Sequence, residues 1–110
     1  MNRPKLSITQ PTSDSQAAHA QPLNVTGWLD YVSTNQPTVN GWIIFNNARI
    51  PATGGFTPAA VYPNPNWQLS FNINAIPAGT AITVHIRAVV TYPPQEVART
   101  ATDCIVINVT

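Results

Sequence analysis

The chain has 110 residues, 44% of them apolar and 8% charged, with a net charge of +1. That is the length of one domain. A charged fraction far below the ~25% of ordinary globular proteins excludes both a charge-solvated disordered segment and a polybasic nucleic-acid binder.

Val, Ile and Thr together number 33 and Leu only four. Branched β-carbons suit the pleat of a strand and cost a helix side-chain freedom. Eleven prolines run from Pro4 to Pro94, and regular elements must fit between them. An all-β chain with many turns follows, with less than about one-tenth helix. One cysteine, Cys104, excludes an internal disulfide and a multi-cysteine metal site. No apolar run approaches the ~18 residues of a membrane-spanning helix, so no membrane insertion is expected.

In chain order, residues 1–20 read as a polar N-terminal arm carrying a first strand at 6–10, where Leu6 and Ile8 alternate with Ser7 and Thr9. No basic segment followed by an apolar one opens the chain, so Met1 is not expected to begin a signal peptide. Thr12–Gln21 reads as loop or one helical turn. Residues 21–110 read as the main body. Leu23, Val25, Gly27 and Leu29 form the apolar face of a second strand. Val39–Phe45 follows, with Val39, Ile43 and Phe45 on one face and Trp42 and Ile44 on the other. Asn46-Asn47 turns the chain into a short edge strand, Ala48–Ile50. Gly54-Gly55 reads as a loop, Phe56–Tyr62 as a weak edge strand, and Pro63-Asn64-Pro65-Asn66 as a turn. Trp67, Leu69, Phe71 and Ile73 then alternate cleanly with polar residues. After a corner at Pro77-Ala78-Gly79, Ile82, Val84, Ile86, Ala88 and Val90 alternate up to Tyr92-Pro93-Pro94. Ile105, Ile107 and Val109 face inward on a last strand, with Cys104 pointing the other way and read as an unreactive packed thiol. The predicted core contains Val25, Leu29, Leu69, Phe71, Ile82, Val84, Ile86, Ile105 and Ile107. Seven or eight antiparallel strands of this kind predict a β-sandwich or small barrel without a disulfide.

The segments Leu23-Asn24-Val25-Thr26-Gly27, Trp67-Gln68-Leu69-Ser70-Phe71-Asn72-Ile73 and Ile76-Pro77-Ala78-Gly79-Thr80-Ala81-Ile82-Thr83-Val84 occur in that order, and Ala101–Ile107 follows as a closing strand. Together they resemble bacterial and phage immunoglobulin-like domains of the Big type, in which the corresponding strands and corner read V-x-V-x-G, W-x-F-x-I and L-P-x-G-x-x-x-I-x-V. The resemblance implies an immunoglobulin-like antiparallel sandwich. It also implies roles in adhesion, spacing between modules, carbohydrate-linked recognition or virion decoration. The antibody-type cysteine pair is absent, and no tyrosine stands two residues before a cysteine.

No catalytic set is legible. His19 and His85 are the only imidazoles, and His85 reads as a solvated strand residue beside Thr83 and Arg87. A Ser–His–acid triad needs a positioned serine and a buried acid, and the four acids are scattered. Asp14, Asp30 and Asp103 are weighed as a shared calcium site at one end of the sandwich, with plain surface hydration the better reading. No metal, cofactor or enzymatic activity is expected. The matches to the N-glycosylation pattern at Asn24 and Asn108 lie inside predicted strands and are discounted.

The aromatic residues carry the functional reading. Trp28 falls on the polar side of its strand, either packed under a neighbouring segment or part of a contact surface. Tyr31, Tyr62 and Tyr92 each end a strand before a turn. In an immunoglobulin-like sandwich the loops after alternate strands gather at one end. That would collect these tyrosines with Asn35, Asn64, Asn66 and Gln95, a mixture suited to adaptable polar recognition that survives added salt. The predicted function is a non-catalytic adhesion or structural module of an exported bacterial protein, extracellular or at the cell surface, with a protein partner. The alternative is a small phage protein on the virion surface, docking through Asn2–Gln21. A carbohydrate-binding accessory domain, with Trp28 stacking on sugar, is a third candidate that makes glycan a partner. Nucleic acid is not an expected partner.

Overall fold

The computed structural model describes residues 3–56 and 65–110. Nine strands form among them: β1 Lys5–Gln10, β2 Ser15–Ala17, β3 Leu23–Asp30, β4 Thr38–Phe45, β5 Ala48–Pro51, β6 Thr53–Phe56, β7 Asn66–Phe71, β8 Ala81–Tyr92 and β9 Val97–Val109. No helix occurs among the described residues. One sheet has the order β1-β3-β7-β6 and the other β2-β9-β8-β4-β5. The two pack face to face as an immunoglobulin-like β-sandwich, the fold class expected.

The alternation seen in the sequence is the alternation of burial. On β3, Leu23, Val25, Gly27 and Leu29 are buried, and on β7, Trp67, Leu69 and Phe71. Facing them across the core are Val39 and Ile43 of β4, every second residue of β8 from Ile82 to Tyr92, and Ile105, Ile107 and Val109 of β9. All nine predicted core residues are buried. The long hairpin β8–β9 pairs from Ala81↔Asn108 to Tyr92↔Val97. Thirteen residues at ~3.4 Å each make β9 the strut of a body measuring 48 × 25 × 20 Å.

Three segments depart from the sequence reading. Thr12–Gln21 is neither open loop nor helical turn, because its centre forms β2, which pairs parallel to β9 in an otherwise antiparallel ladder (Ser15↔Ile107, Ala17↔Val109). Backbone bonds hold it there: Asp14 N–H donates to the Val106 carbonyl at 2.7 Å and Thr110 N–H to the Ala17 carbonyl at 2.8 Å. Such pairing joins residues about ninety positions apart and leaves no local periodicity to read. Gly54-Gly55 is not a loop but the middle of β6. Gly54 has φ +119°, and a Cβ there would run into the Gln68 carbonyl of β7, so glycine is what lets this edge strand close on its neighbour. The last strand starts at Val97, earlier than expected, because β8 supplies a template as far as Tyr92. These additions raise the strand count to nine. All of the expected strand Phe56–Tyr62 but Phe56, and the first half of the turn at residues 63–66, lie outside the described residues.

Cys104 is exposed on the outward face of β9 rather than packed. Cys104→Ser should therefore leave the free energy of unfolding, measured by urea titration, unchanged to within about 0.5 kcal/mol. The suggested calcium site does not assemble. Asp14 lies beside Val106, near one end of β9, and Asp30 closes β3 at the opposite end. Asp103 accepts a bond from the Ile8 backbone N–H at 3.0 Å, tying β1 to β9. No group of three or more candidate metal ligands occurs among the described residues. Nor is any helix among them long and apolar enough to cross a membrane.

Candidate functional site

The end of the sandwich beyond Asp30 and Tyr92 is built from two connections. Residues 31–37 link β3 to β4, and residues 93–96 close the β8–β9 hairpin. Short side chains tie them together. The Ser33 hydroxyl donates to the Thr91 carbonyl at 2.7 Å and accepts from the Asn35 backbone N–H at 3.1 Å. Asn35 Nδ2 donates to the same Thr91 carbonyl and to Glu96 Oε2, both at 2.9 Å. Asn35 is thus a clasp between the two loops, not a free recognition group. Such clasps let a loop keep one shape on a rigid scaffold.

Tyr31 and Tyr92 do meet at this end, as expected, but their rings turn inward, at 3% and 4% exposure. They floor a groove of about 580 Å³ whose rim is Val32, Ser33, Thr34, Gln36 and Pro93. Val32 is half exposed, and Gln95 stands exposed on the hairpin turn. Tyr62 and Asn64 lie outside the described residues. Asn66 and Trp28 are not in the groove. They are cross-strand neighbours on the outward face of the β1-β3-β7-β6 sheet, with Trp28 half-buried and also opposite Ser7.

The Tyr92 hydroxyl is buried without a hydrogen-bond partner among the described residues. Burial raises its pKa above the usual 10.0, and the charge of Asp30 raises it further. The nearby Val32 backbone, which falls short of hydrogen-bond geometry, and the charge of Arg99 offset part of the rise. The raised value means the unfolded chain ionises first. Tyr92's contribution is fully present below pH ~10 and is lost as pH climbs through the folded value. Tyr92→Phe should be neutral or stabilising at pH 7, because an unpaired buried hydroxyl is removed with its shape kept. Urea titrations at pH 7 and above pH 10 check this: the variant should lose less stability across that interval than the wild type.

No protein-family model matches the chain, and neither does any curated protein. Among solved structures it is similar to AggA, the major subunit of aggregative adherence fimbriae type I from Escherichia coli. The TM-score is 0.52 at 11% identity, over 100% of this chain and 97% of that one. At this identity the likeness bears on the fold alone, and it agrees with the two-sheet sandwich described above.

A second cluster escaped the sequence reading. Trp42 points outward from β4, half-buried, and stacks with His85 of β8 at 5.7 Å between ring centroids and 15° between planes. The Arg49 guanidinium lies 4.7 Å from the Trp42 ring centroid and that of Arg87 lies 5.8 Å away. The signal was available: the outward positions of β4 were legible, but the register that sets Trp42 opposite His85 was not.

Proposed function

We propose that this chain is a non-catalytic structural or adhesion module of an exported bacterial surface protein, of the immunoglobulin-like Big type, working through protein–protein contact. The observation that carries the reading is the full-length likeness to a fimbrial major subunit. A sandwich of this kind offers a rigid body with loops at its ends, and the loop end built on Tyr31 and Tyr92 is the contact surface assigned here. Its groove is apolar at the floor and uncharged at the rim, which suits a protein surface and predicts binding that is insensitive to salt.

The test is antibody labelling of the producing cells under native expression. Label on intact, unpermeabilised cells is the expected result. Label that appears only after permeabilisation overturns the proposal, and label confined to released phage particles replaces it with virion decoration.

A further inference from the structure

The outward face of the β2-β9-β8-β4-β5 sheet carries the Trp42 cluster, and it belongs to none of the loops discussed above. Two of the chain's five Lys and Arg side chains stand against one indole, with His85 stacked beside it. Cation–π contact holds a guanidinium in place through its face and leaves its N–H edge free to donate. The ladder explains the placement. Trp42 opposes His85 and Pro51, Arg49 opposes Ile44 one row along, and Arg87 opposes Asn40 and Thr102.

Among the described residues no carboxylate stands in the rows around Trp42; Asp14, beside Val106, lies on the far side of β9 from β8 and β4. The outward positions of β4, β5, β8 and β9 hold Asn40, Ile44, Thr83, Thr102, Cys104 and their neighbours, and none of the four acids. Asp103 is on β9 but turns the other way, to the Ile8 N–H. Two like charges brought together without a counter-charge gain from any anion that reaches both.

We propose that this face binds an acidic polysaccharide, bearing sulfate or uronate groups, through Arg49 and Arg87. Both guanidiniums present the planar fork that matches sulfate and carboxylate oxygens. The hydroxyl and amide groups of Thr83, Thr102 and Asn40 surround them with partners for sugar hydroxyls. A peptide ligand fits less well. A peptide added as a strand would pair along the open edge at β5, which carries Arg49, whereas Trp42, His85 and Arg87 stand on β4 and β8, inside the sheet with both edges in ladders. The proposal does not depend on where the protein resides.

The experiment is titration calorimetry of the whole chain with heparin in about 50 mM and 150 mM salt, with poly-L-glutamate as the rival polyanion. Heparin should bind more tightly than polyglutamate. The double variant Arg49→Gln/Arg87→Gln should lose about tenfold or more in affinity, as expected for two charge-assisted contacts. It should also flatten the dependence of log affinity on log salt by about 2. Trp42→Leu, which keeps both arginines but removes the ring that orders them, should weaken binding as well. Lys5→Gln, on β1 of the other sheet, should leave it unchanged. The proposal is overturned if heparin does not bind, if Lys5→Gln costs as much as the double variant, or if polyglutamate binds as tightly, which would assign the face to an acidic protein. Circular dichroism verifies that each variant is folded, and the arginine pair alone decides the matter if Trp42→Leu is not.

Discussion

Phe71→Ala should destabilise the protein by about 3–5 kcal/mol. Phe71 has 0% exposure on β7, one of the two inner strands of its sheet, and its ring reaches across the core towards β4 and β8 around Gly41. Removing the ring takes away its transfer free energy and leaves a cavity between two sheets that are each held by their own ladders. Such walls relax little, which puts the cost at the upper end of the range for aromatic truncations. Chemical denaturation followed by tryptophan fluorescence measures it, and Trp67, on the same strand and 2% exposed, is a suitable reporter. A loss under about 1 kcal/mol would mean that the core is elsewhere.

Gly27→Ala should be as damaging, although it adds a single carbon. Gly27 lies on β3 opposite Ile8 of β1 and Trp67 of β7. A Cβ at this position would collide with the Ser7 carbonyl oxygen and with Cζ2 of the Trp67 indole. The first obstacle is backbone, so no rotamer change removes it. The second is a fully packed ring. Relief requires β1 to part from β3, or Trp67 to leave its site, and overpacking of this kind costs about 1–3 kcal/mol, more where backbone must move. A loss near 3 kcal/mol is expected, with a blue-to-red change in Trp67 emission if the indole is expelled. Unchanged stability would show that the β1–β3 contact is looser than described.

Most strands were legible because each buries one face. Leu23-Asn24-Val25-Thr26-Gly27 or Ile82-Thr83-Val84-His85-Ile86 admits only one register of inside and outside. The elements that escaped lack that signature. β2 is three residues long and is defined by its partner, and β6 owes its form to a glycine that composition alone assigns to a loop. At the loop end, Tyr31 and Tyr92 come together, but the inward direction of their rings was not readable. An aromatic residue at the last position of a strand can cap the core or face solvent with the same neighbours in sequence. Asn35 likewise gives no sign of its partners, since Thr91 and Glu96 are more than fifty residues away. The Trp42–His85–Arg49–Arg87 cluster needed three strands in register before it existed at all.

The parallel pairing of β2 with β9 has a mechanical consequence. Ser15–Ala17 and Ile107–Val109 run in the same direction. Tension applied between Lys5 and Val109 draws β2 backward by its leading end and β9 forward by its trailing end. The two strands are then loaded along their lengths in opposite senses. Their hydrogen bonds, which lie across the strands, are sheared together and must fail as a group; in the alternative geometry, where a strand is peeled sideways, they open one at a time. β1 is loaded in the same manner against β3, with the Ile8–Asp103 bond as a cross-tie between the sheets. A body stretched along its 48 Å axis therefore resists extension at its first and last strands, and extension by force spectroscopy should show one abrupt rupture instead of a gradual unzipping.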